Sequence, residues 1–423
     1  MEAMEVARAA RRASVRLKAV DGQLRSEALG LVKEEVLAAR AEILAANERD
    51  LHAAGGLAES MRARLDLQSK WGAMVQGIAD VQALEDPVGR VTLARQLDKG
   101  LDLYRVSCPV GVLLVVFEAR PEVLVNITAL ALKSGNAAIL KGGKELQNTF
   151  VALQQAISRA LARSYIPPGA IQLVGSRGGV SALLQQDKYI DLVIPRGSNA
   201  LVRSVKENTK IPVLGHADGL CAVYLHADAD MKMAQKILLD AKMGYPAACN
   251  AVETLLVHED LTEAFSDLAS TLVQHGIELR CDERLLVGPT VTAARPEDYD
   301  TEFLNLTLAI KRVASLEEAV EHINEHGSHH TDCIVTQDER VADAFMAGVD
   351  SAGVYWNCST RFADGHRYGF GAEVGISTNK IHARGPVGLE GMMIYQYRLK
   401  GHGNTVGEYG SGKKSFVYKD IVL

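Results

Sequence analysis

The chain has 423 residues, 48% of them hydrophobic and 23% charged, with a formal net charge of −6. That length exceeds one ordinary hydrophobic core, so two or more packed domains are expected. The mild acidity excludes a general attraction to nucleic acid or anionic lipid, and no apolar run is long enough to span a bilayer. The first residues, Met1 to Lys18, carry no apolar leader, and Glu2 and Glu5 argue against an Arg-rich transit peptide. The expectation is therefore a soluble cytoplasmic chain without membrane or nucleic-acid partners, a plastid location staying open. Six cysteines are scattered without a C-x-x-C pair: Cys108, Cys221, Cys249, Cys281, Cys333 and Cys358. In a long intracellular chain such thiols read as mostly buried, with one reactive member at most.

Residues 1 to about 92 are rich in Ala, Leu and Glu at helical spacing, broken at Asp21-Gly22, Gly55-Gly56 and Asp86-Pro87. Leu101 to Val106 then alternates as a strand, and Val110 to Phe117 is a continuous apolar run suited to a buried parallel strand. Helices are predicted over Val123–Lys133, Lys144–Arg163, Val180–Gln186 and Asn199–Glu207. Strands are predicted over Ala137–Leu140, Ile171–Val174, Asp191–Ile194 and Cys221–Leu225. This alternation predicts a doubly wound parallel sheet. A second α/β unit opens near Asp230, with helices at Met231–Lys242, Thr262–Gln274 and Leu316–His326 and a strand at Val252–Val257. The segment Met392–Leu423 is Gly-rich with short strands, the texture of a ribbon that adds to a partner's sheet.

Two glycine patterns are decoys. Gly407-x4-Gly412-Lys413 imitates a phosphate loop, but Lys414 follows where Ser or Thr belongs. Gly369-x-Gly371-x3-Gly375 has the wrong last spacing for a dinucleotide fingerprint. The histidines His322, His326, His329 and His330, with Asp332, invite a metal reading through the helical pair His322/His326. His326 beside the helix-ending Gly327 equally suits a helix C-terminus, and no metal is expected. Cys249 has the best context of the cysteines, in Tyr245-Pro-Ala-Ala-Cys249-Asn-Ala-Val-Glu-Thr254 between a helix and an apolar strand. Texture alone leaves a nucleophile and a small buried residue as open alternatives.

Several long segments carry a resemblance. They are Gly215-His-Ala-Asp-Gly-Leu-Cys221, Pro246–Val257, Ile323–Ile334, Ser359-Thr-Arg-Phe-Ala-Asp-Gly365, Gly369–Ser377 and His382–Gly391. From about Leu101 to the end the chain resembles the γ-glutamyl phosphate reductase family, including the reductase half of plant-type pyrroline-5-carboxylate synthetase. It departs where that family usually has His after the cysteine matching Cys221; here stands Ala222. The resemblance implies an aldehyde dehydrogenase-like α/β fold: two doubly wound α/β domains, for cofactor and catalysis, plus a small β oligomerisation arm. The expected division is 1–228 for the helical N-terminus and cofactor domain, with an arm strand near 95–108, then 229–385 for catalysis. Residues 386–423 are expected to return to the cofactor domain and arm.

The implied activity is NADPH-dependent reduction of γ-glutamyl phosphate to glutamate 5-semialdehyde, in proline biosynthesis, with Cys249 as nucleophile through a thioester. A substrate anionic at both ends asks for cations, so Arg120, Arg361 and Arg196 are the candidates, with Ser359 and Thr360 beside Arg361. Lys141 and Lys144 follow a strand where an adenosine ribose is read, and a cation there favours a 2′-phosphate. Gly197 and Ser198 precede a helix whose first N–H groups can face a pyrophosphate. Glu302 falls where related dehydrogenases hold the nicotinamide ribose. His216 falls where hydrolytic relatives carry their water-activating Glu, and Ala119 where their oxyanion-holding amide stands. A homo-oligomer, dimer or tetramer, and a functional partnership with glutamate 5-kinase are implied as well. The rival readings are a hydrolytic aldehyde dehydrogenase and a non-catalytic scaffold for the kinase.

Overall fold

The computed structural model describes residues 2–56, 59–118, 120–175, 177–285, 291–410 and 412–422. It divides into two compact units: residues 1–214, 370–375 and 387–423, and residues 215–369 with 376–386. The division between the units falls at 214, where the sequence reading places a boundary at 228, and residues 370–375 cluster with the first unit.

In the first unit, the N-terminal helix Glu2–Leu17 buries Ala7, Ala10, Ala13 and Leu17, a narrow stripe at i, i+3 spacing. Asp21 starts the next helix, Gly22–Ala38, by accepting the Gln23 N–H at 2.8 Å. The predicted helix over Lys144–Arg163 opens as a 3₁₀ turn, Lys144–Leu146, before the α-helix Gln147–Ala162. The reason is Asp50, whose carboxylate accepts the Thr149 N–H at 2.8 Å and the Thr149 hydroxyl at 2.6 Å, capping the helix from outside.

The core of this unit is a four-stranded parallel sheet in the order Ile171–Leu173, Ala137–Gly142, Val112–Phe117, Leu192–Arg196. All six residues of Val112–Phe117 are buried, as the unbroken apolar run requires. The chain enters at Val112–Phe117, winds outward one way, then crosses to Leu192–Arg196 on the other side. That reversal is a topological switch point, where open α/β sheets present a crevice beyond the carboxyl ends of their strands. A second, antiparallel sheet runs Met393–Lys400, Leu101–Pro109, Val91–Asp98, Lys419–Asp420. Gly100, at φ +74°, makes the turn between its two central strands.

The second unit holds a seven-stranded sheet in the order Val291–Ala293, Glu278–Cys281, Thr307–Val313, Val252–His258, Cys221–Leu225, Thr331–Val335, Gly353–Trp356. Every pairing in it is parallel. Cys221–Leu225, which the alternation assigns to the first sheet, is here the strand around which the second sheet winds. A strand buried on both faces reads the same in either sheet, so only its partners decide. Lys242 and Glu253 are buried against each other at 2.5 Å, with side chains 0% and 1% exposed. They join the helix Met231–Met243 to the strand Val252–His258 and so clamp both ends of the loop carrying Cys249.

The predicted helix Leu316–His326 is observed with those bounds. His322 is buried on it, and burial, then the Lys311 ammonium, pulls its pKa down to about 3. A folded-state pKa below the ordinary histidine value means the unfolded chain binds the extra proton. Stability from this site is present above about pH 6.5 and is lost as pH falls toward 3. The expected slope over that window is up to about 1.4 kcal/mol per pH unit. His322→Gln is expected to flatten it in chemical denaturation series at stepped pH; an unchanged slope would locate the acid sensitivity elsewhere.

Candidate active site

Three adjacent strands of the second sheet bring the site together. The segment Gly215–Leu220 leads into Cys221–Leu225, the turn at Cys249 leads into Val252–His258, and His330 immediately precedes Thr331–Val335. Cys221 pairs with Val252 and Val223 with Cys333, so the amino ends of these strands lie side by side. The cluster therefore sits at the amino edge of the sheet, opposite to the carboxyl edge that open α/β sheets ordinarily use. One ligand-capable atom each of His216, Cys249 and His330 lies within 4.8 Å of the other two. The imidazoles of His216 and His330 meet edge to face, with centroids 5.0 Å apart.

Each member is held from behind. His216 Nδ1 lies 2.9 Å from the Ile376 carbonyl oxygen, so that nitrogen carries a proton and, in the neutral imidazole, Nε2 the lone pair. His330 is fully buried, with Nδ1 at 2.9 Å from the Thr331 hydroxyl. The Cys221 thiol donates to the Cys249 carbonyl at 3.3 Å. Gly219 passes so close that a Cβ there would collide with the Cys249 backbone, which accounts for a glycine at that position. The motif Gly215–Cys221 thus frames the Cys249 turn from one side.

Asn250 is held from the other side. The Thr360 hydroxyl donates to the Asn250 carbonyl at 2.7 Å, the Arg361 guanidinium donates to Asn250 Oδ1, and Asn250 Nδ2 donates to the Ala363 carbonyl at 3.0 Å. The Ser359 hydroxyl accepts the Arg361 N–H at 3.2 Å. Ser359 and Thr360 are buried and serve the backbone, while half-buried Arg361 is near enough to Cys249 to feel its charge. Asn250 is the residue that sequence reasoning passed over: only the folded loop shows that the Ser359–Arg361 motif grips it.

Burial pushes Cys281 and Cys333 up to about 12, Cys221 well above its ordinary value, and Cys358 upward. Cys249 and Cys358 are the two thiols only partly buried, and of these Cys249 is the one beside the two imidazoles. The helical histidine pair takes another course. His322 Nδ1 faces the Lys311 ammonium at 3.1 Å and His326 Nδ1 meets Asp300 at 2.8 Å, so a lysine stands where a metal would bind.

The remaining candidates divide between the units. In the first unit, Lys141 lies within its strand, buried, its ammonium donating to the Gly142 carbonyl, while Lys144 is exposed at the 3₁₀ turn. Arg120 is exposed, and Arg196 ends its strand at 3.6 Å from Glu373. Gly197 and Ser198 stand at the switch point. The Ser198 N–H is already engaged by the Glu118 carboxylate at 2.9 Å, so a bound pyrophosphate has a resident anion to contend with. In the second unit, Glu302 lies close enough to act on the Lys242–Glu253 pair. Ala119 lies outside the described residues.

The aldehyde dehydrogenase family profile matches residues 1–302, most of the chain. The γ-glutamyl phosphate reductase of Saccharomyces cerevisiae is 51% identical, over 99% of this chain and 97% of its own. The chain belongs to the γ-glutamyl phosphate reductases of the aldehyde dehydrogenase family. γ-Glutamyl phosphate reductase 1 of Synechocystis sp. is 50% identical over 97% of this chain and 96% of its own. The crystal structure of the Thermotoga maritima γ-glutamyl phosphate reductase superimposes with a TM-score of 0.93 at 37% identity, covering 96% of this chain and all of that one. An acetylating aldehyde dehydrogenase of Geobacillus thermoglucosidasius, at 17% identity and TM-score 0.67, shares the fold alone. No helix among the described residues is long and apolar enough to cross a membrane.

Proposed function

We propose that the chain reduces γ-glutamyl phosphate to glutamate 5-semialdehyde, with Cys249 as the nucleophile. The observation that carries the reading is the half-buried Cys249 thiol facing two imidazoles on a turn that the segments Gly215–Cys221 and Ser359–Ala363 grip from both sides. The lone-pair nitrogen of His216 takes the thiol proton, and the thiolate attacks the acyl carbon. Phosphate leaves with the bonding electrons of the C–O bond, and a thioester remains on Cys249. A nicotinamide dinucleotide, when bound, supplies the hydride that brings this carbon to the aldehyde level. The oxyanion of the resulting thiohemiacetal then collapses, expelling the Cys249 thiolate and releasing the semialdehyde. Arg361, anchored through Asn250, supplies positive charge for the anionic substrate.

The first unit fits such a dinucleotide by its switch-point topology and by an exposed lysine at the adjacent strand end. Lys141, Lys144, Gly197 and Ser198 there are the residues proposed to hold it, with NADPH preferred for the sake of the lysines. Lys144→Glu is expected to raise the KM for NADPH about tenfold, the change in one charge-assisted contact, and to leave that for NADH nearly unchanged. Equal effects on both cofactors would remove the 2′-phosphate assignment.

The exposed strand Met393–Lys400, with Ile394, Tyr395, Tyr397 and Leu399 open to solvent, is the surface we assign to self-association. A functional partnership with glutamate 5-kinase follows from the lability of an acyl phosphate, which direct hand-off protects. The test of the central reading is phosphate dependence in reverse. With glutamate semialdehyde and NADP+, turnover is expected only when inorganic phosphate is added. Turnover independent of phosphate, with free glutamate as product, would replace the reading with a hydrolytic one.

A further inference from the structure

We propose that Cys249, His216 and His330 form a binding site for one thiophilic divalent cation, Zn2+ or a close relative, and that its occupation caps the nucleophile and arrests turnover. The arrest rests on the reading of Cys249 as nucleophile; the binding does not. Three donors of the right kind converge, each offering an atom within 4.8 Å of the others. Thiolate sulfur with two imidazole nitrogens is a donor set that matches zinc, with a fourth position left for water.

The orientation of the imidazoles is the second observation. His330 is 0% exposed, and its Nε2 has no hydrogen-bond partner. A buried polar atom left in that state costs about 1–3 kcal/mol unless something meets it. Its Nδ1 is already committed to the Thr331 hydroxyl at 2.9 Å, and His216 Nδ1 to the Ile376 carbonyl at 2.9 Å. An imidazole that donates one N–H to a carbonyl and presents the other nitrogen is how metal-ligating histidines are usually supported. In a tetrahedral zinc site, bond lengths of about 2.0–2.3 Å put ligand atoms about 3.3–3.6 Å apart. Closing from within 4.8 Å asks for side-chain rotation at Cys249 and His216, both only partly buried, while His330 stays fixed. On binding, the Cys249 thiol releases its proton to solvent and the metal–sulfur bond takes up the lone pair that would attack the substrate.

The test uses the full chain freed of metal with a chelator. Titration with Co2+, followed by absorption, is expected to give a near-ultraviolet thiolate-to-cobalt charge-transfer band that saturates at one equivalent per chain. Zn2+ is expected to displace the cobalt, to shield Cys249 from iodoacetamide as read by peptide mass spectrometry, and to be removed by EDTA with return of alkylation. Cys249→Ala is expected to abolish the band, and His216→Ala and His330→Asn each to weaken cobalt binding about tenfold or more. Should His330→Asn fail to fold, His216→Ala decides. A band that survives Cys249→Ala, cobalt affinity unchanged in His216→Ala, or no band at one equivalent would each overturn the site. A full set of binding results in a chain without reductase turnover would leave the site standing and refute the functional reading instead.

Discussion

Cys249→Ala is expected to lower reductive turnover by about 10⁴-fold or more, the scale on which enzymes lose rate when a covalent nucleophile is deleted. The fold should persist, because the side chain is small and only partly buried, on a turn held by its backbone neighbours. Cofactor binding, read by fluorescence quenching, should also persist. Cys221→Ala is the matching control. Its thiol donates to the Cys249 carbonyl at 3.3 Å, so its loss loosens the turn without removing the reacting sulfur. A drop of about tenfold is expected there, on the scale of one lost neutral hydrogen bond. If Cys249→Ala keeps turnover while Cys221→Ala loses it, the nucleophile has been misassigned.

Lys242→Met is expected to destabilise the second unit by about 3–5 kcal/mol, because it strands a buried carboxylate. The pair is 0% and 1% exposed and 2.5 Å apart, and Glu253 also accepts the Leu304 N–H at 3.3 Å. Burial pushes the Glu253 carboxyl upward even with its partner present, so the Lys242 ammonium is what offsets the desolvation of its charge. The double replacement Lys242→Met with Glu253→Leu is expected to recover most of the loss, since a packed apolar pair avoids the desolvation that the ion pair suffers. Both ends of the Cys249 loop hang on this contact, so the single variant should also lose turnover, and the double variant should regain stability more fully than rate. Denaturation midpoints alongside initial rates distinguish the two. A single variant as stable as the parent would mean that water reaches the pair.

Much of the architecture was legible in the chain. Val110–Phe117 is apolar without interruption because a strand covered on both faces has no polar side, and it is observed as the buried strand Val112–Phe117. The helices Asn199–Glu207, Thr262–Gln274 and Leu316–His326 appear with the bounds that their caps and periodicity predict. The second sheet was harder. Gly353–Trp356 is too short to announce itself, and Thr307–Val313, with Lys311 and Arg312 in it, has neither an unbroken apolar run nor strict alternation; both gain their identity from the neighbours they pair with. Cys221–Leu225 was read as a strand correctly and placed in the wrong sheet, because pairing is a long-range choice that a five-residue run does not encode.

The site divides along the same line. Sequence by itself determined that Cys249 sits on a turn between helix and strand, and that the motifs at Gly215–Cys221 and Ser359–Gly365 belong to the same family as that turn. It did not determine that His330 stands beside Cys249. In the chain His330 belongs to a run of histidines whose helical members, His322 and His326, offered the better spacing for a ligand pair. Parallel pairing of Cys221–Leu225 with both Val252–His258 and Thr331–Val335 carries His330 and the Cys249 turn to one edge. The same helix turns His322 toward Lys311 instead. Local spacing fixes which residues share a helix face; only the order of strands in the sheet decides which loops meet, and in this protein that order assembles the thiol with its imidazoles.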